Sequence, residues 1–312
     1  MSRLIDNIAD FLVENGFELS FQIRHDFDVI VTRTLDGRHT NVILPLEISA
    51  RTIEEAEAES EKAEYAIRMI TREAGYPLII TEDRWNRQRA MMEARLLAHM
   101  EVHHQAYARN CEVRRIEKAE AQEFLNRNHS YGDAACKYRY GLFLKRHTGH
   151  IAAEMETSPV ILNEVKNLSP GTLIAVATFS NARKWIKDGK EIRSYEWTRY
   201  ASLPDLRVSG GMGKLLKAFI KEVQPDDIMS YADLEWSEGE VYERLGFEAE
   251  AEKEPVTFTI DPQTWERKAI RRSLDKLGMT EDKLGMTEEK LGDLFFCNFG
   301  SRKYRLKLTD YR

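Results

Sequence analysis

Cysteine is scarce in this chain and poorly placed for bonding: the three, Cys111, Cys136 and Cys297, lie far apart with no CxxC pair. That argues against a disulfide framework or a zinc knuckle, and predicts buried or neutral thiols in a reducing, cytoplasmic setting. Long apolar runs are missing too. No stretch approaches the roughly 20 apolar residues needed to cross a bilayer, so no membrane partner is expected. The opening MSRLIDNIADFL mixes acids among its apolar positions and lacks the layout of a secretory leader. Nor is there an excess of positive charge: 46 Lys and Arg stand against 52 Asp and Glu, a formal net charge of −6. A generally basic nucleic-acid coat is disfavoured, while a local basic face is not. What is present is ordinary for a globular chain, 42% hydrophobic and 31% charged, and 312 residues permit two domains.

Residues 4–14 put Leu4, Ile5, Ile8, Phe11 and Leu12 at helical spacing, with Gly16 as a stop. FELSFQI and FDVIVTR then read as strands, and the turn LDGRHT leads into a third, NVILPLEIS. Residues 52–74 form a long helix, opened by a Thr52/Glu55 capping box and closed by Gly75. YPLIITED follows as a short buried strand, so the order predicted for residues 1–85 is αβββαβ. Residues 86–106 carry Met91, Ala94, Leu97, Ala98 and Val102 near one stripe and are expected to form a helical connector. His99, His103 and His104 fit a solvated helix face, because the intervening Met100, Glu101 and Val102 do not make a HExxH zinc pattern.

Within the first unit Asp28 opens one strand and Glu47 ends the next. A nuclease uses two carboxylates from neighbouring strands to hold Mg²⁺ against the scissile phosphate, with a Lys two residues past the Glu to orient water. Here that third position is Ser49, so the two acids also read as exposed strand ends of a scaffold. The pieces HDFDVIV, LPLEIS and YPLIITEDRW resemble, over about 85 residues, a degenerate PD-(D/E)XK, Vsr-like nuclease domain. The resemblance implies a restriction-endonuclease-like fold and, if that domain is active, a divalent metal on Asp28 and Glu47.

Residues 107–312 read as a second α/β unit. Strands are predicted at CEVRRI, YRYGLFLKR, TLIAVATFS and IRSYEWTRYAS, with a helix over 118–126. RVSGGMGK (207–214) follows, and then a helix with Leu215, Leu216, Phe219, Ile220 and Val223 on its buried face. IMSYAD and VTFTI are further strands. Between them a short helix capped by Ser237 and Glu240 carries Tyr242 to a stop at Gly246. Gly210, Gly211 and Gly213 let successive backbone N–H groups turn toward one pyrophosphate, and the helix start adds its positive dipole end. Arg207, Val208, Ser209 and Lys214 flank them. The register stays open, since Arg207 fits with Gly210 while Val208 fits with Gly211 and Gly213.

This loop, followed about 30 residues later by YERLGF (242–247), resembles the signature of the GNAT N-acetyltransferases. The resemblance implies a mixed α/β acyltransferase fold with acetyl-CoA or another acyl-CoA at residues 207–214. It also implies Tyr242 as the acid that protonates the departing thiolate, the alternative being an aromatic packed between helix and sheet. A closer likeness is spread over residues 107–308: YARNCEV, EFLNRNHSYG, YGLFL, IAVATFS, EWTRYA, SGGMGKLLKAF, SYADLEWSEGEVYERLGF and FFCNFGSRKYRLKL. These segments resemble a phage-associated GNAT-like group that includes the Mom-type DNA-modification proteins. That implies transfer of a small group to a base in DNA, with His129, Arg199, Asp233 and Tyr242 at the catalytic site. A metal on His129 and Asp233 is implied as well, and would need a third ligand such as water or Tyr131.

Three features depart from the pattern. Residues 146–170 stand where a tight hairpin is expected and read as an inserted loop. KLGMTEDKLGMTEEKLG (276–292) reads as a spacer extended by tandem duplication. The acidic balance leaves two local basic candidates for DNA: WERKAIRR (265–272), with Lys268, Arg271 and Arg272 on one helical face, and SRKYRLK (301–307). The expected function is acyl transfer to a nucleic-acid base. The alternatives are a phage-type metal-dependent DNA endonuclease whose second unit grips DNA, and an N-acetyltransferase for small molecules or proteins.

Overall fold

A computed structural model describes residues 3–145, 168–270 and 293–311, a mixed α/β chain. The loop expected at 146–170 falls almost wholly outside the described residues, and the spacer at 276–292 entirely so. Among the described residues no helix is long and apolar enough to cross a membrane.

The first sheet is an antiparallel meander of β1 (Leu19–Arg24), β2 (Phe27–Arg33) and β3 (Thr40–Leu46). Its alternating residues feed two apolar layers. Ile30 and Ile43 meet α1 (Leu4–Glu14) through Leu4, Ile5, Ile8 and Leu12. Val29, Val42 and Leu44 meet α2 (Ile53–Ala74) through Ala63, Ile67 and Ile70. The Thr52 hydroxyl caps α2 by accepting the Glu55 N–H at 3.1 Å, and Gly75 ends it at φ 86°. Returning through α2, the chain adds β4 (Leu78–Thr81) parallel to β3. Next come α3 (Glu82–Arg87) and α4 (Arg89–His99). α4 stops at His99, short of the helix expected through His104. Glu101 takes a positive φ of 64°, the Val102 N–H turns back to the Leu97 carbonyl, and His104 opens a strand, β5 (His104–Tyr107).

The remaining elements are β6 (Cys111–Arg115), α5 (Lys118–Asn128), β7 (Tyr138–Leu144), β8 (Leu173–Phe179), β9 (Arg183–Lys187) and β10 (Lys190–Ser202). After them run β11 (Leu206–Ser209), α6 (Gly211–Val223), β12 (Asp227–Asp233), α7 (Glu240–Arg244) and β13 (Glu248–Lys253). β14 (Thr257–Ile260), β15 (Arg267–Ala269), β16 (Leu294–Cys297) and β17 (Ser301–Lys307) complete the series. The large sheet has the order β13-β17-β12-β10-β8-β7-β6, with β9 folded back on β10. Its neighbours are antiparallel except β10 and β12, which α6 connects as a crossover. Phe219 of α6 stacks on Phe179 at 3.9 Å in the centre of this core. β5 pairs in parallel with β11. The small sheet β15-β14-β16 is inserted between β13 and β17 and packs on α2 and the end of β3.

Three sequence expectations need correction here. α7 is capped by Gly239 at φ 88°, not by Ser237. WERKAIRR does not form a basic helix: Arg267–Ala269 is a strand, Arg267 points inward, and Arg271 and Arg272 lie outside the described residues. SRKYRLK is β17, and three of its four cations are neutralised along the sheet: Arg302 by Glu252 at 2.9 Å, Lys303 by Glu250 at 2.6 Å and Arg305 by Asp227 at 2.6 Å.

Three of the four sheets meet at one buried carboxylate. Glu235, in the loop after β12, is 1% exposed and pairs with Arg84 of α3 and, at 2.8 Å, with Arg267 of β15. Asp83, 2% exposed, holds the other side of Arg267, and Thr81 accepts from it at 2.8 Å. The two arginines hold the Glu235 carboxyl well below the usual range although burial alone would raise it. Breaking such a pair strands an uncompensated charge, so Glu235→Gln is expected to cost about 3–5 kcal/mol in urea denaturation. Because the folded-state pKa is depressed, the wild-type advantage should be complete above about pH 5. It should drain away as the pH falls below the unfolded Glu value of about 4.3. A variant as stable as the parent at pH 7 would show that the network does not hold the sheets together.

Candidate functional site

The parallel pair is short. β10 and β12 are bonded only where Ser194, Tyr195 and Glu196 face Asp227, Ile228 and Met229. Beyond that point β10 bulges between Trp197 and Arg199 and stays with β8, while β12 stays with β17 as far as Asp233. The two strands part, and a cleft of about 760 Å³ opens between them. Ala94, Arg95 and Ala98 of α4 form part of its wall, so the segment expected to be a mere connector shapes the site.

His129, Arg199, Asp233 and Tyr242, far apart in sequence, all line this cleft. The hub that joins three of them is the turn after α5. Tyr131 donates its N–H to His129 Nδ1 at 3.1 Å and its hydroxyl to Asp233 Oδ2 at 2.9 Å. Arg199 Nε donates to the Gly132 carbonyl at 3.0 Å, and Arg84 Nη2 donates to the Tyr131 hydroxyl at 3.0 Å. Burial, reinforced by Arg199 and Arg84, pushes the His129 imidazole down to about 4, so the ring is neutral at physiological pH. With Nδ1 accepting, its proton sits on Nε2. Burial and the neighbouring Glu235 raise the Asp233 carboxyl against the pull of Arg84, making it a stronger base than an ordinary aspartate. Tyr242 stacks on Tyr304 with ring centres 5.2 Å apart. Burial raises its phenol, which therefore keeps its proton. Ser230 Oγ lies 2.9 Å from that hydroxyl and 3.1 Å from the Trp197 carbonyl, bridging the mouth of the split.

This donor set does not suit a metal on His129 and Asp233. His129 Nδ1 is taken by the Tyr131 backbone N–H, which leaves the proton on Nε2 and no ring lone pair free for a metal. Asp28 and Glu47 do come together, in a separate cavity of about 350 Å³, but with Arg3 between them. Its guanidinium is 2.8 Å from Asp28 and 3.6 Å from Glu47, which also accepts the Leu4 N–H. The positive charge there belongs to the protein. Among the described residues no group of three or more His, Cys, Asp or Glu side chains is placed to hold a metal.

At the glycine turn Gly210 takes φ 75°, a left-handed conformation, and α6 starts at Gly211. A side chain at Gly211 would meet Val208 at 2.9 Å and the Tyr200 hydroxyl at 3.2 Å, so only glycine allows this close turn. The flanking residues divide. Lys214 folds back to the carbonyls of Ala108 and Cys111, at 2.7 and 2.6 Å, and Ser209 accepts from Gln105 at 2.9 Å. Arg207 is exposed on β11.

No protein-family model matches the chain, and none of the curated proteins matches it. Sequence reasoning missed Arg84, Arg95, Glu235 and Trp236. Arg95 left a readable sign, a cation between Met92 and Leu96 on the buried stripe of α4. Its guanidinium lies 4.2 Å over Trp236 and donates to the Ile79 and Trp236 carbonyls. The tautomer is open to a direct check: ¹⁵N spectra of His129 should show a neutral ring protonated on Nε2 and unchanged from pH 8 to about pH 5. Titration with a midpoint near 6.5 would contradict the buried geometry.

Proposed function

We propose that the chain is an acyltransferase of GNAT-like fold that uses acetyl-CoA or another acyl-CoA to acylate an amine on a nucleic-acid base. The parallel β10–β12 pair, parting just ahead of a glycine turn and a helix start, is the observation that carries this reading. A split pair offers unpaired backbone N–H and C=O groups to an amide-bearing arm laid between the strands. The first N–H groups of α6, at Gly211, Met212 and Gly213, have no acceptor within the helix and suit a pyrophosphate. In this reading residues 107–312 form the acyltransferase unit and 86–106 the connector. Residues 1–85 form a nuclease-like αβββαβ unit that acts as a scaffold, since Arg3 occupies the space between Asp28 and Glu47.

The chemistry assigned to the side chains follows from their protonation. Asp233 takes a proton from the acceptor amine, which attacks the thioester carbon; a C–N bond forms and the C–S bond breaks. Arg199, with Nε and Nη1 committed to carbonyls, turns its remaining N–H donors to the developing oxyanion. Tyr242 gives its proton to the departing sulfur. Tyr200 and Trp236 supply flat apolar surfaces on which a planar heterocycle can stack. A base in duplex DNA would have to flip out to reach them, at a cost of a few kcal/mol. The internal pairing of the β17 cations favours a second reading: the same transfer to a small molecule or protein amine that is not a polyanion.

Calorimetric titration with acetyl-CoA, with and without a short DNA duplex, tests both readings. Binding in either condition is expected, and strengthening by DNA that fades with salt selects the base. Tyr242→Phe should leave acetyl-CoA affinity unchanged and slow transfer by about 10² or more. The rate should rise with pH to a midpoint above the ordinary aspartate value of about 3.9, and Asp233→Asn should abolish that limb. Absence of acetyl-CoA binding in both conditions ends the proposal.

A further inference from the structure

An exposed strand edge carries an inference independent of acyl transfer. β1 is the outer strand of its sheet, so one row of its backbone groups pairs with β2 and the other faces outward. The turn that follows identifies the rows. His25 and Asp26 both take positive φ, 49° and 68°, as in a two-residue type I′ loop. Such a loop closes on a hydrogen-bonded pair, here Arg24 with Phe27. Alternation then points the N–H and C=O groups of Ser20, Gln22 and Arg24 at β2, and those of Leu19, Phe21 and Ile23 outward. The Glu18 carbonyl, which accepts from the Thr32 hydroxyl of β2 at 2.9 Å, obeys the same parity. Natural edges are usually blunted by lysine, proline or a bulge. The middle of LSFQIR has none of these, and Phe21 and Ile23 are 60% and 77% exposed.

We propose that β1 pairs antiparallel with β1 of a second copy of this chain, centred on Phe21, joining two four-stranded sheets into one. In this register Phe21 faces Phe21 of the partner subunit and Leu19 faces the partner's Ile23. Every outward N–H and C=O group of these three residues then has a counterpart. Their side chains share one face and make a continuous apolar stripe. On the opposite face Glu18 meets the partner's Arg24 at each end, adding an acid beside a guanidinium that within its own chain bonds Gln22 at 3.0 Å and lies 3.9 Å from Glu73. A one-residue slip sets outward groups against inward ones. A two-residue slip loses both Glu18–Arg24 pairs and leaves outward groups without partners.

Sedimentation of the full chain should show a monomer that doubles in mass as concentration rises. Amide exchange should slow at Leu19, Phe21 and Ile23 in step with that change. Phe21→Pro should abolish the dimer without unfolding the hairpin, because the lost N–H faces outward. Glu18→Arg should weaken association about tenfold. A chain that stays monomeric up to about 1 mM overturns the proposal. So does a dimer that survives both Phe21→Pro and Glu18→Arg, since it uses another surface.

Discussion

The arrangement rests on the Glu235 carboxylate. It sits in the loop that leaves β12, yet its counter-ions come from α3 and from the inserted small sheet. Three pieces of chain far apart in sequence therefore share one buried charge balance. Arg84, Arg95 and Arg267 stand against Asp83, Asp233 and Glu235, and none of the three arginines can leave without stranding an acid or emptying a packed space. The same cluster sets the chemistry of the cleft. Arg84 holds the Tyr131 hydroxyl, Tyr131 holds Asp233 and His129, and the Glu235 charge raises the Asp233 carboxyl. Architecture and reactivity are thus coupled through a handful of ionic contacts rather than through the apolar core.

The apolar clusters reinforce that coupling without specifying it. Ile48 packs with Phe258, Ile260 and Leu294; Ala50 and Ala56 pack with Phe295 and Cys297; Trp236 joins the layer beneath α1. The first two bury side chains from the β3–α2 connection and from α2 against those of the inserted sheet, and burial of that kind is tolerant of small shifts. Bidentate arginine–carboxylate geometry is not. Beside the ionic joint, Arg95 of α4 donates to the Glu235 and Trp236 carbonyls and so ties that helix to the loop after β12.

What could be read from the sequence was local. Periodicity and capping located α2, whose Thr52 and Gly75 ends are as expected, together with β1 to β4, β8, β12 and α6. His129, Arg199, Asp233 and Tyr242, singled out by the family resemblance and not by any local pattern, line one cleft. The failures share a cause. β5 and β11 are only four residues long, and β9 and β13 are largely exposed, so their strand character comes from partners elsewhere. The helix expected through 265–272 failed because a buried acid claims Arg267, a pull that no local pattern displays. Basic runs on paper became neutralised rungs of a sheet for the same reason.

The placement of β17 bears on how the sheet is made. It is the last strand described, yet it lies inside the large sheet between β13 and β12, where Tyr304 is completely buried. Until residues 301–307 have left the ribosome, β12 lacks one neighbour and β13 has none in that sheet. The side of the cleft built on β12 therefore waits until residues 301–307 have been made. The first sheet, closed by pairings within residues 19–81, can assemble long before. Completion of the cleft then follows that of the first sheet, timed by chain elongation and by the slow closure of a contact of large sequence separation.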